Sequence, residues 1–210
     1  MENISKVLKE YIKIILKNID MGLEKNRKDK LIELAQVIKK NHKQQNIVKI
    51  IFICTHNSRR SQFSQVWAYI SSLYFKLDFL EFYSGGTEVD SVNLNVINAL
   101  RNSGLEIEKE QKDDKVYLLR SFKEDKGINL YSKKYSCKPN PIKHFIAIMT
   151  CSDADQMCPV IKGADKKTSL PYSDPRFSDN TSLEKEVYNQ TCSIIAKEMF
   201  YLTRQVKKIV

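Results

Sequence analysis

Residues 54–61 read Cys-Thr-His-Asn-Ser-Arg-Arg-Ser and directly follow the apolar run 47–53, Ile-Val-Lys-Ile-Ile-Phe-Ile. A cysteine, five residues and then an arginine is a spacing suited to gripping a tetrahedral oxyanion. In a tight loop the backbone N–H groups of Thr55, His56, Asn57, Ser58, Arg59 and Arg60 can form one anion-binding concavity. The helix that Arg60 and Ser61 would open adds unpaired N–H groups and the positive end of its dipole. Arg60 can offer a planar fork to two oxygens of the same anion. A thiol at the base of such a nest is favoured as the thiolate, the nucleophilic form. Taken alone, Cys54 is equally well explained as a small buried hydrophobe at a strand end. Its strand–loop–helix setting and the other cysteines tip the balance toward chemistry.

The second constellation is Cys151 to Pro159, which places Cys151 and Cys158 seven positions apart just after another apolar run, 145–149. Seven residues are two helical turns, so an intact helix would hold the thiols roughly 10 Å apart. A disulfide needs Cα atoms within about 7 Å. Bridging this pair therefore requires the segment to loop out or unwind, which makes it a conformational switch. A zinc site would want closer pairs and four ligands, and His42, His56 and His144 form no motif with these cysteines. Downstream, Asp174-Pro175 reads as a turn. Held over an oxyanion nest, the Asp174 carboxyl could instead protonate a leaving oxygen or activate water.

These residues need a scaffold, and the order of patterns supplies one. In residues 1–45, Ile4, Leu8, Tyr11, Ile15 and Ile19 mark one amphipathic helix, and Leu31, Leu34, Ala35 and Ile38 mark a second. They form an N-terminal helical hairpin whose apolar stripe must be buried on the main domain or on a second subunit. Residues 46–210 alternate strand and helix: strand 47–53, helix 61–77, strand 79–84 stopped by Gly85-Gly86, and helix 93–103 ended by Gly104. A strand at 143–150, a short strand at 168–170 and a long C-terminal helix follow. That helix is expected to open with a capping box of Thr181 and Glu184. Between residues 105 and 141 the pattern breaks into an insertion or flap, with a β-hairpin expected from 115–122 and 128–135 around a turn at 123–127. The fold class is α/β: an open, mostly parallel four-stranded sheet with helices on both faces, plus the N-terminal hairpin. Ligands of such sheets bind beyond the carboxyl ends of the strands, where Cys54 and Cys151 both fall.

The 210 residues carry a formal charge of +10, of which residues 1–50 hold +6. That excess is interleaved with acids on helix faces and lacks an aromatic stacking platform. It fits small anionic ligands and argues against nucleic acid. No apolar run approaches the ~20 residues that span a bilayer. The N-terminus shows no secretory pattern. Five cysteines in such a chain fit a reducing cytoplasm, where thiols do chemistry. Cys137 and Cys192 have no assigned part in it.

Taken in order, 51–61, Ser84-Gly85-Gly86, Cys151 to Pro159 and Asp174-Pro175 resemble the low-molecular-weight protein tyrosine phosphatase superfamily, and within it the thioredoxin-coupled arsenate reductases. The resemblance spans residues 47–208. It implies that Cys54 attacks arsenate held by residues 55–60 and clamped by Arg60. Asn57 would brace the loop, Ser61 would stabilise the Cys54 thiolate, and Asp174 would transfer a proton. Cys151 would then form a disulfide with Cys54 and release arsenite. Cys158 would take over Cys151, leaving a disulfide for thioredoxin to reduce. No cofactor or metal is implied. Three residues depart from the family pattern. His56 stands where glycine is usual and would be strained at positive φ. Arg59 replaces a cysteine and would add a second cation near the anion. Gln65 replaces a glutamate of the potassium site in related reductases. The alternative function is a phosphatase that hydrolyses phosphotyrosine or small phosphomonoesters through a phosphocysteine at Cys54. A third, non-enzymatic reading is an anion or redox sensor.

Overall fold

The computed structural model describes residues 4–120 and 127–210. Its centre is a four-stranded sheet in the order β2-β1-β6-β7, built from β1 (Val48–Cys54), β2 (Leu80–Gly86), β6 (Phe145–Met149) and β7 (Ala164–Ser169). All three pairings are parallel. The central strand β1 is apolar because it is covered on both sides. Ile50 and Phe52 belong to the large core, while Ile51 and Ile53 face a smaller one with Phe145, Met149 and Cys151. Register places Cys54 opposite Gly86 and Ile53 opposite Met149, so β1 and β6 end at the same edge. The chain leaves β1 toward β2 on one side while β6 lies on the other. That makes this edge a topological switch point.

The large core lies under α3 (Arg60–Phe75), α4 (Leu94–Asn102) and the 26-residue α6 (Glu184–Ile209). The N-terminal helices α1 (Lys6–Lys17) and α2 (Lys25–His42) join the same core through Leu8, Ile12, Ile15, Leu31, Leu34 and Ile38. Tyr11 stacks on Trp67 of α3 with ring centroids 5.3 Å apart. The apolar stripe of the hairpin is thus covered by α3 and α6 of this same chain. Among the described residues the opposite face of the sheet carries the six-residue α5 (Ser152–Met157), with Tyr135 and Ile161 packed beside it.

Several details differ from the sequence pattern. The strand expected at 168–170 runs from Ala164, because Lys166 and Lys167 pair with Ile146 and Ala147 at the open edge, where polar side chains are tolerated. Gly85 and Gly86 extend β2 instead of stopping it. The capping box does not form. Thr181 Oγ1 donates to Ser178 O and accepts from Leu183 N, and Glu184 accepts from Asn180 N, so these groups shape the turn before α6. Within the 105–141 segment there is a second, antiparallel sheet of β3 (Ile107–Lys109), β4 (Tyr117–Leu119) and β5 (Ile128–Leu130). The expected hairpin is the β4–β5 pair, with Tyr117 opposite Leu130. Residues 123–126 of its turn lie outside the described residues. No helix among the described residues is long and apolar enough to cross a membrane.

Candidate active site

The loop from Thr55 to Arg59 joins β1 to α3, and its hydrogen bonding is one-sided. Cys54 O accepts from Thr87 N, Thr55 O from Glu88 N, and Ser58 O from Asn93 N. His56 O accepts from Ser132 Oγ and Asn57 O from Gln62 Nε2. The carbonyls are therefore held outward by surrounding chain. Among the described residues no hydrogen bond engages the N–H groups of 55–60. Backbone donors without acceptors, their carbonyls tied to surrounding chain, are what an anion nest requires, and the 16-residue α3 starts at the last of them, Arg60.

The strain of this turn falls on Asn57, with φ of 50°, and His56 avoids it. Asparagine tolerates left-handed backbone better than most residues. The steric problem posed by a histidine at the glycine position therefore does not arise. His56 instead reaches Glu88 at 3.2 Å on the rim. Asn57 is fully buried and braces the loop from both ends of its amide. Its Nδ2 donates to Ser61 Oγ at 2.8 Å and its Oδ1 accepts from Lys133 N at 3.0 Å. Ser61 Oγ in turn lies 3.1 Å from Cys54 Sγ.

Arg60 is 8% exposed. Its Nη2 donates to Asp174 Oδ2 at 2.7 Å and its Nη1 to Tyr172 O at 3.2 Å, while Nε is a buried donor without a protein acceptor. Asp174 also caps the 3-10 turn Pro175–Ser178 through Arg176 N. The sequence-predicted acid and the loop arginine are therefore in direct contact. Arg59, expected as a second cation beside the anion, is otherwise occupied. Its Nε donates to Tyr188 OH at 2.7 Å and its Nη2 to Asp179 at 3.0 Å. Burial works against the Arg59 cation, but Tyr188 and the carboxylates of Asp174 and Asp179 outweigh it and raise its pKa. Arg59 is left with its backbone N–H to offer an anion.

The second thiol meets the first site directly. Cys151 is fully buried, its Sγ 3.5 Å from Thr55 Oγ1 and accepting from Ala154 N at 3.4 Å as the N-cap of α5. Cys158 caps the other end of α5 and is partly exposed. All five cysteines are free thiols. Lys167 holds α5 from β7 through Asp155 Oδ1 at 2.6 Å and Asp155 O at 2.8 Å.

Pattern reading put 131–135 in the second hairpin strand, which ends at Leu130, and gave the segment no part in the site. Tyr131 O accepts from Gln62 Nε2, Ser132 donates to the loop, and Lys133 N binds Asn57. Lys133 O accepts from Gly86 N, and Tyr135 N donates to Gly86 O. Most of these contacts are made by backbone, which leaves no side-chain signature. The Lys133 side chain is buried with Nζ 4.2 Å over the Tyr131 ring, and burial pulls its pKa down to about 8. Gln65 donates to Phe82 O while its Oε1 stays buried without a partner, as does Ser84 Oγ. Among the described residues no group of three His, Cys, Asp or Glu could hold a metal ion.

A parallel β2-β1-β6-β7 sheet with a cysteine-to-arginine loop after β1 is the low-molecular-weight phosphatase fold. A YwlE mutant from Bacillus subtilis superposes with a TM-score of 0.54 at 16% identity, covering 76% of this chain and 99% of that one. A low-molecular-weight protein tyrosine phosphatase from Bacillus subtilis does so at 0.51 and 17%, covering 77% and 98%. In sequence, Arsenate reductase 2 of Staphylococcus haemolyticus is 30% identical over 126 residues, 60% of this chain and 77% of that protein. The arsenate reductase of Staphylococcus aureus strain Newman is 32% identical over 127 residues, again 60% and 77%. No protein-family model matches the sequence. The chain belongs to the arsenate reductase family, built on the low-molecular-weight phosphatase fold.

Proposed function

We propose that this protein reduces arsenate to arsenite through Cys54, Cys151 and Cys158 in turn, in the cytoplasm, and is regenerated by thioredoxin. The Cys54 thiolate attacks arsenic, and an arsenate oxygen leaves as water with the proton that Asp174 supplies. The Cys151 thiolate then attacks Cys54 Sγ. The new S–S bond forms as the S–As bond breaks, and its electron pair stays on arsenic, giving arsenite. Cys158 next attacks Cys151 Sγ and frees Cys54. Two thiols have lost two electrons, and the external dithiol returns them.

The observation that carries this reading is the second thiol at the nest: Cys151 Sγ is 3.5 Å from the hydroxyl of Thr55, the residue following Cys54. A phosphatase would use the same loop and Asp174, with water in place of Cys151. The arsenate reductases among the relatives support the reductase. The test is purified protein with arsenate, thioredoxin, thioredoxin reductase and NADPH. Arsenate-dependent NADPH oxidation is expected. Its absence beside brisk aryl-phosphate cleavage would transfer the assignment to the phosphatase.

A further inference from the structure

The contact between Arg60 and Asp174 hangs on a turn, and that turn is tied to the N-terminal hairpin. Arg27 of α2 donates to Glu198 of α6 through Nε and Nη2, both at 2.8 Å. Tyr172 OH donates to Glu198 Oε2 at 2.8 Å, and the Arg27 guanidinium lies 4.8 Å over the Tyr172 ring. Tyr172 is also fixed by its backbone: its N–H donates to Thr150 O at the end of β6, and its C=O accepts from Arg60 Nη1. Two residues on, Asp174 meets Nη2 of the same arginine. Arg60 thus reads the positions of Tyr172 and Asp174 together.

We propose that Arg27 is a positioning residue for Asp174, acting through Glu198 and Tyr172 to hold the turn that presents the Asp174 carboxyl group to the oxyanion loop. The N-terminal hairpin thereby contributes to the active site without touching it. Three observations support the assignment. Glu198 is 3% exposed, and both its oxygens are occupied by Arg27 and Tyr172. A buried ion pair of this kind is a poor source of stability beside apolar packing of equal volume. What it does supply is a fixed bidentate geometry. Finally, a cleft of about 570 Å³ lined by Arg27, Pro171, Ser173 and Glu198 lies against the turn, so the turn has room to relax when the fork is lost.

This inference rests on the reading of Asp174 as the proton donor. Its test compares hydrolysis of p-nitrophenyl phosphate, whose phenol leaves readily, with that of phenyl phosphate, whose phenol needs a proton. Asp174→Asn defines the signature of a lost donor. Arg27→Met is expected to lower kcat/KM, which reports expulsion of the phenol, about threefold or more further for phenyl phosphate than for p-nitrophenyl phosphate. Inhibition by inorganic phosphate should stay within about twofold, because the nest is untouched. In an Asp174→Asn background Arg27→Met should cost nothing more, since its effect runs through that carboxyl. Arg27→Lys keeps the charge without the fork. It should fall between, and it carries the test if the methionine variant does not fold. Equal loss for both substrates, or a full Arg27 effect persisting without Asp174, overturns the proposal. Unaltered protein inactive on both aryl phosphates and arsenate would instead remove the functional reading, and this role with it.

Discussion

Ser61 Oγ lies 3.1 Å from Cys54 Sγ while accepting a hydrogen bond from Asn57 Nδ2 at 2.8 Å. A hydroxyl has a single proton, and Asn57 occupies one of its lone pairs, so that proton is free to point at the sulfur. Ser61 is thus placed to donate to the Cys54 sulfur. A hydrogen bond to a charged group is worth about 1.5–3 kcal/mol, so Ser61→Ala should slow alkylation of Cys54 at neutral pH about tenfold or more. Peptide-resolved mass spectrometry after brief iodoacetamide exposure reads this directly. An unchanged rate would mean that Ser61 merely fills space.

Gly86 shows how tightly β2 presses on the loop. A Cβ there would stand 2.6 Å from Thr55 O and 2.9 Å from Asn57 N, both backbone atoms of the nest. Neither can yield without moving the loop. Gly86→Ala is expected to cost about tenfold or more in inhibition by inorganic phosphate and a comparable factor in turnover. Retained affinity in a folded variant would show that the nest has slack.

The parts legible in sequence were those carried by side-chain type at fixed spacing. Cys54 ends β1 and Arg60 opens α3, as the strand–loop–helix pattern expects, and Arg60 contacts Asp174. Cys151 falls at the same sheet edge because its strand is as apolar as β1. What could not be read was held by backbone or by long-range pairing. The support of Asn57 by Lys133 N has no side-chain signature. The Arg27–Glu198 pair spans 171 positions and looks like ordinary surface charge on two amphipathic helices. The fate of Arg59 turned on Asp179 and Tyr188, whose proximity only the fold reveals.

Lys133 should leave a mark on the pH dependence of stability. Burial lowers its pKa from 10.5 to about 8. Above 10.5 the amine is neutral in folded and unfolded chains alike, and between 8 and 10.5 it is protonated only when unfolded. The unfolded state binds more protons there, so this residue's contribution to stability rises with pH through that window. Below it the folded protein carries a buried cation at a cost of the order of 1–3 kcal/mol. Lys133→Met is therefore expected to raise Tm at pH 7, with the gain shrinking toward pH 10.5. A pH-independent difference would point to packing instead.

The two contacts from Lys167 make a latch on α5. Burial pushes the Asp155 carboxyl up, but Lys167 and Ser169 outweigh it and hold its pKa below the ordinary value. The pair therefore contributes above the usual aspartate range and is lost as pH falls through it. Cys151 and Cys158 cap opposite ends of this helix, so joining them requires it to unwind. Lys167→Met removes the latch, worth about 1 kcal/mol for a partly exposed pair. It should speed formation of the Cys151–Cys158 disulfide by about fivefold, followed by quenched-flow alkylation. A slower rate would show that α5 must be ordered, not open, for the exchange.

The order of the thiols can be read from stoichiometry. In Cys158→Ser, Cys54 and Cys151 are both intact, and together they hold the two electrons arsenate needs. One arsenite per protein should be released in a single burst, followed by arrest at a Cys54–Cys151 disulfide, because nothing remains to free Cys54. Thioredoxin should restart this variant poorly, since Cys54 and Cys151 are both buried. Cys151→Ser leaves Cys54 without its partner and should release no arsenite in the burst. Aryl-phosphate hydrolysis, which needs only Cys54, Arg60 and Asp174, should survive in both variants. Arsenic speciation after mixing with one equivalent of arsenate, with intact mass spectrometry of the protein, distinguishes these states. A burst from Cys151→Ser equal to that from Cys158→Ser would break the sequence of exchanges, because arsenite would then be leaving without the thiol that sits beside Thr55.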